Sequence, residues 1–194
     1  VFAGPDIAGV VKRYNMFCGG GALPPMWGLG IWYRTWIHAT REMVERQVEG
    51  IRADRMPVDV LGLEPGWQTH AYSCTYVWNE EKFPDPDGFV KKLAEMGFRT
   101  NLWTHLFVHP DSPLYKDLEP AAGDYMVWGG IVPDLSLEDA RKAFCDYYKR
   151  AFLERGVSGF KIDECDGSDF IPSHWSYPEQ SQFSASGSTA SRCI

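Results

Sequence analysis

Gly97-Phe98-Arg99-Thr100-Asn101-Leu102-Trp103-Thr104-His105 passes from the end of a helix into a strand with almost no loop between them. Gly97 can take the left-handed conformation that stops a helix, and the short apolar run after it has the length and residue types of a buried strand. Just upstream, Asp85-Pro86-Asp87 opens a helix whose face is Phe89, Val90, Leu93 and Met96, Pro being favoured in the first helical turn. Two similar joins occur in the chain, at Met56-Pro57 and at Gly156-Val157.

Those joins lead to further units. Thr40 can N-cap a helix with Met43, Val44, Val48 and Ile51 on one stripe, ending near Asp54-Arg55. After Pro57, residues 58–64 read as a second strand closed by Pro65-Gly66. Ser136 can cap a helix that turns Ala140, Phe144, Tyr147, Tyr148, Ala151 and Phe152 inward, and Gly159–Asp163 is the strand after it. Met26–Tyr33 reads as a buried first strand, and Asp6–Cys18 as a helix with Ile7, Val10, Val11, Tyr14 and Phe17 at helical spacing, stopped by Gly19-Gly20-Gly21. Residues 71–85 read as an aromatic loop or hairpin and 106–135 as irregular.

Strands alternating with helices across such short turns require parallel pairing with helical crossovers. The long segments, 65–85, 106–135 and 164 onward, all follow strands, while the turns preceding strands are short. A (β/α)8 TIM barrel places its active-site loops in this way. An open doubly wound sheet predicts similar loops. The fold class is α/β, and a barrel of about 250 residues would be represented here by its first four units.

The totals narrow the partners. A formal charge of -7 provides no basic stripe for phosphates, so no nucleic acid is expected. Since no stretch approaches the ~20 apolar residues of a bilayer span, no membrane partner is expected either. Val1-Phe2-Ala3-Gly4-Pro5-Asp6 has neither a basic nor an apolar targeting region, so it names no compartment. The five cysteines lack a Cys-x-x-Cys pair, so no zinc ribbon is expected.

Chemistry is expected where acids follow strands, at Glu64, Asp134 and Asp163. Lys161 lies two residues before Asp163, on the same face of the strand, where an ammonium favours the ionised carboxylate. A structural ion pair at a strand end explains the same spacing, as does a barrel enzyme using the pair for metal-assisted proton abstraction. Trp32, Trp67, Trp103 and Trp128 fall at strand ends or in loops on that side; a sugar site stacks on such rings, and a core uses them equally. Of His38, His70, His105, His109 and His174, no pair has H-x-x-x-H spacing on a predicted helix, His105 and His109 lying on a strand and its loop, so no metal site is expected.

Six blocks in order, Gly4-Pro5 with the glycine-ended helix, Ala22 to Trp32, Pro57-Val58-Asp59-Val60, Phe83-Pro84-Asp85-Pro86, Gly97 to Trp103, and Gly159-Phe160-Lys161-Ile162-Asp163, resemble glycoside hydrolase family 31. The resemblance runs from residue 4 to about 180. It implies a catalytic (β/α)8 barrel preceded by a β-sandwich, acting on α-linked glycosides with retention and without a cofactor. Residues 1–21 would then be the linker and helix leading from that sandwich, and 22–180 the first half of the barrel. Residues 181–194 would be a disordered or frameshifted tail, a shift near Gly187 explaining its departure from the family's continuation.

Carried over, the resemblance makes Asp163 the nucleophile, Lys161 a lysine lining the glycosyl subsite and Trp103 the third-strand tryptophan beside the ring. Glu64 stands where the family's α-glucosidases and α-xylosidases usually carry aspartate, and Glu64-Pro65-Gly66-Trp67 departs from Asp-x-x-Trp. The sugar therefore stays open: α-glucosides, α-xylosides, α-galactosides, α-N-acetylgalactosaminides or another α-linked sugar. The family's general acid/base lies well beyond the nucleophile, so it is expected outside this chain. The chain alone is expected to be inactive, and the alternative is a non-catalytic truncation product that at most binds sugar weakly.

Overall fold

The computed structural model describes residues 1–165. Six strands and five α-helices follow one another as α1 (Ile7–Phe17), β1 (Ile31–Arg34), α2 (Arg41–Ala53), β2 (Val58–Leu63), α3 (Pro86–Glu95), β3 (Arg99–Thr104), α4 (Tyr115–Leu118), β4 (Ala122–Val127), β5 (Gly130–Pro133), α5 (Glu138–Ala151) and β6 (Gly159–Ile162). The expectations for residues 166–194, including the tail, lie outside the described residues.

The sheet order is β1-β2-β3-β6, all parallel. Each crossover moves one place in the same direction. A doubly wound sheet would reverse direction at a switch point; this one is singly wound, as in a barrel.

The helix-to-strand joins form as the sequence requires. Gly97 and Gly156 have φ of 83° and 97°, the left-handed conformation that glycine adopts without steric cost. Arg52, at the end of α2, donates to the carbonyls of Met96 and Val58, at 2.8 and 3.0 Å, and its guanidinium lies 3.6 Å from the Phe98 ring centroid. One side chain thus ties the starts of β2 and β3 together. Asp85 caps α3 by accepting from the Gly88 amide at 3.1 Å, and the Thr40 hydroxyl accepts from the Met43 amide at 3.5 Å.

Register assigns every strand residue to a face. Arg34, Gly62, Asn101 and Gly159 form one row, and Trp103 and Lys161 pair in the next row toward the C-terminal ends. The opposite face carries Leu61, Leu63, Leu102, Phe160 and Ile162. These join Val44, Val48 and Ile51 of α2, Phe89, Val90 and Leu93 of α3, and Ala140, Phe144 and Tyr148 of α5 in a single apolar core. The hydrophobic effect therefore fixes which face stays open for polar side chains.

Several expectations need correction. Met26–Leu29 is a 3₁₀ turn rather than strand, and β1 is an exposed edge strand rather than a buried one. Gly28 and Gly30 weaken extended pairing, and the Ile31 amide donates to the Asp59 carboxylate at 3.0 Å, where the β1–β2 register shifts. The stretch read as irregular contains an antiparallel hairpin, β4–β5. Its turn residues, Trp128 and Gly129, both have positive φ, 48° and 71°, as a two-residue I′ turn demands. Ser136 does not cap α5, because its amide and hydroxyl both donate to Asp134, at 2.9 and 2.7 Å, and the helix starts two residues later. Helix α1 forms over the expected residues, capped by Asp6 at 2.7 Å, yet buries none of its side chains among the described residues.

Candidate active site

β6 ends at Ile162, and the next residue, Asp163, is held in line with the sheet by its amide, which donates to the Thr104 carbonyl at 2.8 Å. Its carboxylate is surrounded by donors. The Lys161 ammonium lies 2.7 Å from Oδ2, the Trp103 indole N–H donates to the same oxygen at 2.9 Å, and the Glu164 amide donates to Oδ1 at 3.0 Å. Burial works to raise the pKa of this group, but the Lys161, Trp103 and Glu164 hydrogen bonds together outweigh it and hold it below the usual carboxylate range. Asp163 is therefore anionic near neutrality and stays partly open to solvent, with 37% of its side chain exposed. A carboxylate that is charged, oriented and accessible is fit to act as a nucleophile.

Trp103 is almost fully buried, so its ring is a fixed wall behind the carboxylate. It meets Tyr72 and His105, with ring centroids 5.3 Å away in each case. Tyr72 donates its hydroxyl to Glu164 at 3.3 Å and packs edge-on against Trp128 at 4.9 Å. Burial, then the nearby Glu164 and Asp163 charges, push the Tyr72 phenol up to about 12, so it remains a donor. The β4–β5 turn in this way brings Trp128, half exposed, to the rim of the Asp163 site.

His105 is buried among these rings, and burial lowers its pKa to about 3 despite the Asp163 charge. Its Nδ1 accepts from the Phe107 amide at 3.1 Å, which makes it a neutral structural histidine. Among the described residues no group of three or more His, Cys, Asp or Glu is arranged to hold a metal ion, and no helix is long and apolar enough to cross a membrane.

Glu64 follows β2 and ion-pairs through Oε1 with Arg34 Nε of β1. Trp32 is an exposed edge residue whose indole donates to the Gly28 carbonyl at 3.1 Å. A concavity of ≈ 670 Å³ is lined by Trp32, Asn101, Gly159, Phe160 and Ile162 among others; Asp163 and Glu64 do not line it. The reacting geometry lies at the strand ends, so the Asp163 cluster rather than this hollow marks the candidate site.

Two expected site residues stand elsewhere. Trp67 is core, with 1% exposure, rings against Trp78 and Phe152, and its indole bound to the Trp103 carbonyl at 2.8 Å. Proline at 65 starts a 3₁₀ turn that swings Trp67 away from the polar face. Asp134 follows the hairpin rather than the main sheet, and its carboxylate is occupied by Ser136. Conversely, Tyr72, Arg34 and Asn101 were not singled out by sequence. Tyr72 lies in a loop without periodicity, whereas Arg34 is two residues beyond Trp32 and was accessible to the alternation that marked Lys161 and Asp163.

The chain is 30% identical over 177 residues to the α-xylosidase XylQ of Lactiplantibacillus pentosus, a match covering 84% of this chain and 23% of that protein. It is 24% identical to an α-glucosidase of Saccharolobus solfataricus, over 88% of this chain and 26% of the relative. Among solved structures, a Flavobacterium johnsoniae GH31 dextranase complexed with glucose superposes with a TM-score of 0.69 at 22% identity, covering 81% of this chain and 21% of that one. The chain thus spans about a quarter of the length of the relatives it matches. Residues 21–191 match the sequence model of the glycosyl hydrolases family 31 TIM-barrel domain, so the chain belongs to that family and its singly wound sheet is part of such a barrel.

Proposed function

We propose that this chain contributes the nucleophile side of a retaining α-glycosidase site. The observation that supports it is the Asp163 carboxylate, held anionic by Lys161, Trp103 and the Glu164 amide at the mouth of a parallel sheet. In the reaction, a carboxylate oxygen of Asp163 attacks the anomeric carbon as the glycosidic bond breaks. A general acid protonates the departing oxygen. Water then releases the sugar from the covalent glycosyl-enzyme, with the same acid acting as base. Asp166 and Asp169 lie outside the described residues, and the acid/base is proposed to come from sequence other than the described residues of this chain.

Lys161 and Trp103 orient the nucleophile and wall the glycosyl subsite, while Glu64 accepts hydrogen bonds from sugar hydroxyls. Trp32 and Trp128 offer ring faces at the margin. Aryl α-xylosides and α-glucosides are the first substrates to test, because the named relatives are an α-xylosidase and an α-glucosidase, with α-galactosides third on account of Glu64. The domain division proposed is 1–21 as a leader helix and 22–180 as barrel. Chain and Asp163→Asn variant are assayed on the three 4-nitrophenyl glycosides, within the full-length protein that carries this chain. Turnover should fall at least about a thousandfold in the variant; turnover that survives the substitution refutes the assignment. The second reading, a non-catalytic chain that at most binds sugar weakly, is favoured by the unpaired edges that β1 and β6 show among the described residues. It requires saturable sugar binding by the isolated chain without hydrolysis.

A further inference from the structure

One row of the sheet alternates long side chains with none at all: Arg34, Gly62, Asn101, Gly159. The alternation has a steric reason. Arg34 extends across Gly62, where a Cβ would lie 2.4 Å from its Nη1. No real side chain could occupy that position without displacing the guanidinium. Past Gly62, Nη1 donates to the Asn101 carboxamide oxygen at 2.9 Å, Nη2 donates to the Leu63 carbonyl at 3.1 Å, and Nε is left to the Glu64 carboxylate one row higher.

Each of the three guanidinium nitrogens thus donates to a fixed partner, and only one of those partners is a charge. Asn101 is 2% exposed, and because its oxygen faces Arg34, its amide group must face Gly159, where no side chain competes for the space. Fixing a planar guanidinium at two points, Asn101 and Leu63, fixes the third group that it binds, Glu64. With Oε1 held, Glu64 has its remaining oxygen to offer a ligand.

We infer that Arg34 and Asn101 are positioning residues for Glu64: Asn101 holds Arg34, Arg34 aims and charge-compensates Glu64, and Gly62 leaves the room for both. This rests on the proposed role of Glu64 in binding sugar hydroxyls. It adds a determinant of the substrate's fit, because a glutamate whose charge is already matched suits neutral hydroxyl-bearing sugars and has no call for a cationic one.

The test uses the full-length protein carrying this chain, with 4-nitrophenyl α-D-xyloside and α-D-glucoside as probes. Asn101→Leu, of similar volume but without the acceptor, should raise KM about tenfold with kcat within about threefold, the scale of one charge-assisted hydrogen bond. Asn101→Asp, which restores an oxygen facing Arg34, should recover most of that loss. Gly62→Ala, which displaces Arg34 by contact alone, should reproduce the KM effect. An unchanged KM in Asn101→Leu overturns the inference. So does an equal loss in Asn101→Leu and Asn101→Asp accompanied by an equal fall in melting temperature, since that marks a merely structural residue. Absence of hydrolysis by the unsubstituted protein would instead strike the glycosidase reading itself, and the inference would fall with it; hydrolysis with an indifferent Asn101 removes the inference alone.

Discussion

At the scale of single residues, two pKa values are lowered for opposite reasons, that of Asp163 against burial and that of His105 by burial. Asp163 is kept ionised against the effect of its own burial by three donors. Replacing Lys161 by methionine removes the charged donor and leaves the burial, so the carboxylate pKa rises. The acidic limb of the kcat/KM profile should move to higher pH, and a limb that stays in place would show that Lys161 does not govern the proposed nucleophile. His105 is the converse, a group whose folded pKa of about 3 lies below its unfolded value of 6.5. Its contribution to stability is fully present above the unfolded value and is lost as pH falls through that window. The expected loss approaches ~1.4 kcal/mol per pH unit, one proton's linkage. Urea unfolding at several pH values should show this slope, and His105→Gln should flatten it. The sequence announced Asp163 and Lys161 by their alternation on one strand, but not His105, whose neutral state comes from rings contributed by Trp103, Phe107, Tyr72 and Trp128.

At the scale of elements, caps and turns explain both what was legible and what was missed. Asp85 was readable as the start of α3 because a capping oxygen ahead of proline is a local signal. It adopts φ of 46° and caps Gly88. Asp85→Ala should cost roughly 1–2 kcal/mol, the loss of a cap plus a left-handed alanine, measured as a lower urea midpoint at unchanged slope. The start of α5 was misplaced because two capping residues compete: Ser136 has the right identity, but Asp134 captures it first. The β4–β5 hairpin was invisible for a related reason. Its turn is Trp128-Gly129, and tryptophan at a positive-φ position is not among the residues that announce an I′ turn. Tertiary contact with Tyr72, His105 and Phe107 holds it there instead.

For the whole molecule, the alternation of helix and strand was enough to give parallel pairing, and the long segments after strands gave the functional end. Choosing a singly wound sheet over a doubly wound one needed the spatial order β1-β2-β3-β6, which no local pattern encodes. Within the described residues β1 and β6 each pair on one side only, and Ile31, Trp32, Tyr33 and Trp36 are exposed near the β1 edge. Open edges beside apolar side chains favour association. The isolated chain should therefore show a concentration-dependent rise in hydrodynamic radius by light scattering, and a constant monomer radius would argue that these edges are otherwise protected. The central claim is that Asp163 forms the covalent bond to the sugar. It is tested most directly by inactivating the full-length protein carrying this chain with a 5-fluoro-α-glycosyl fluoride and mapping the labelled peptide. The expected result is a fluoroglycosyl ester on Asp163, abolished in Asp163→Asn; label on any other carboxylate, with Asp163 unmodified, would contradict the account.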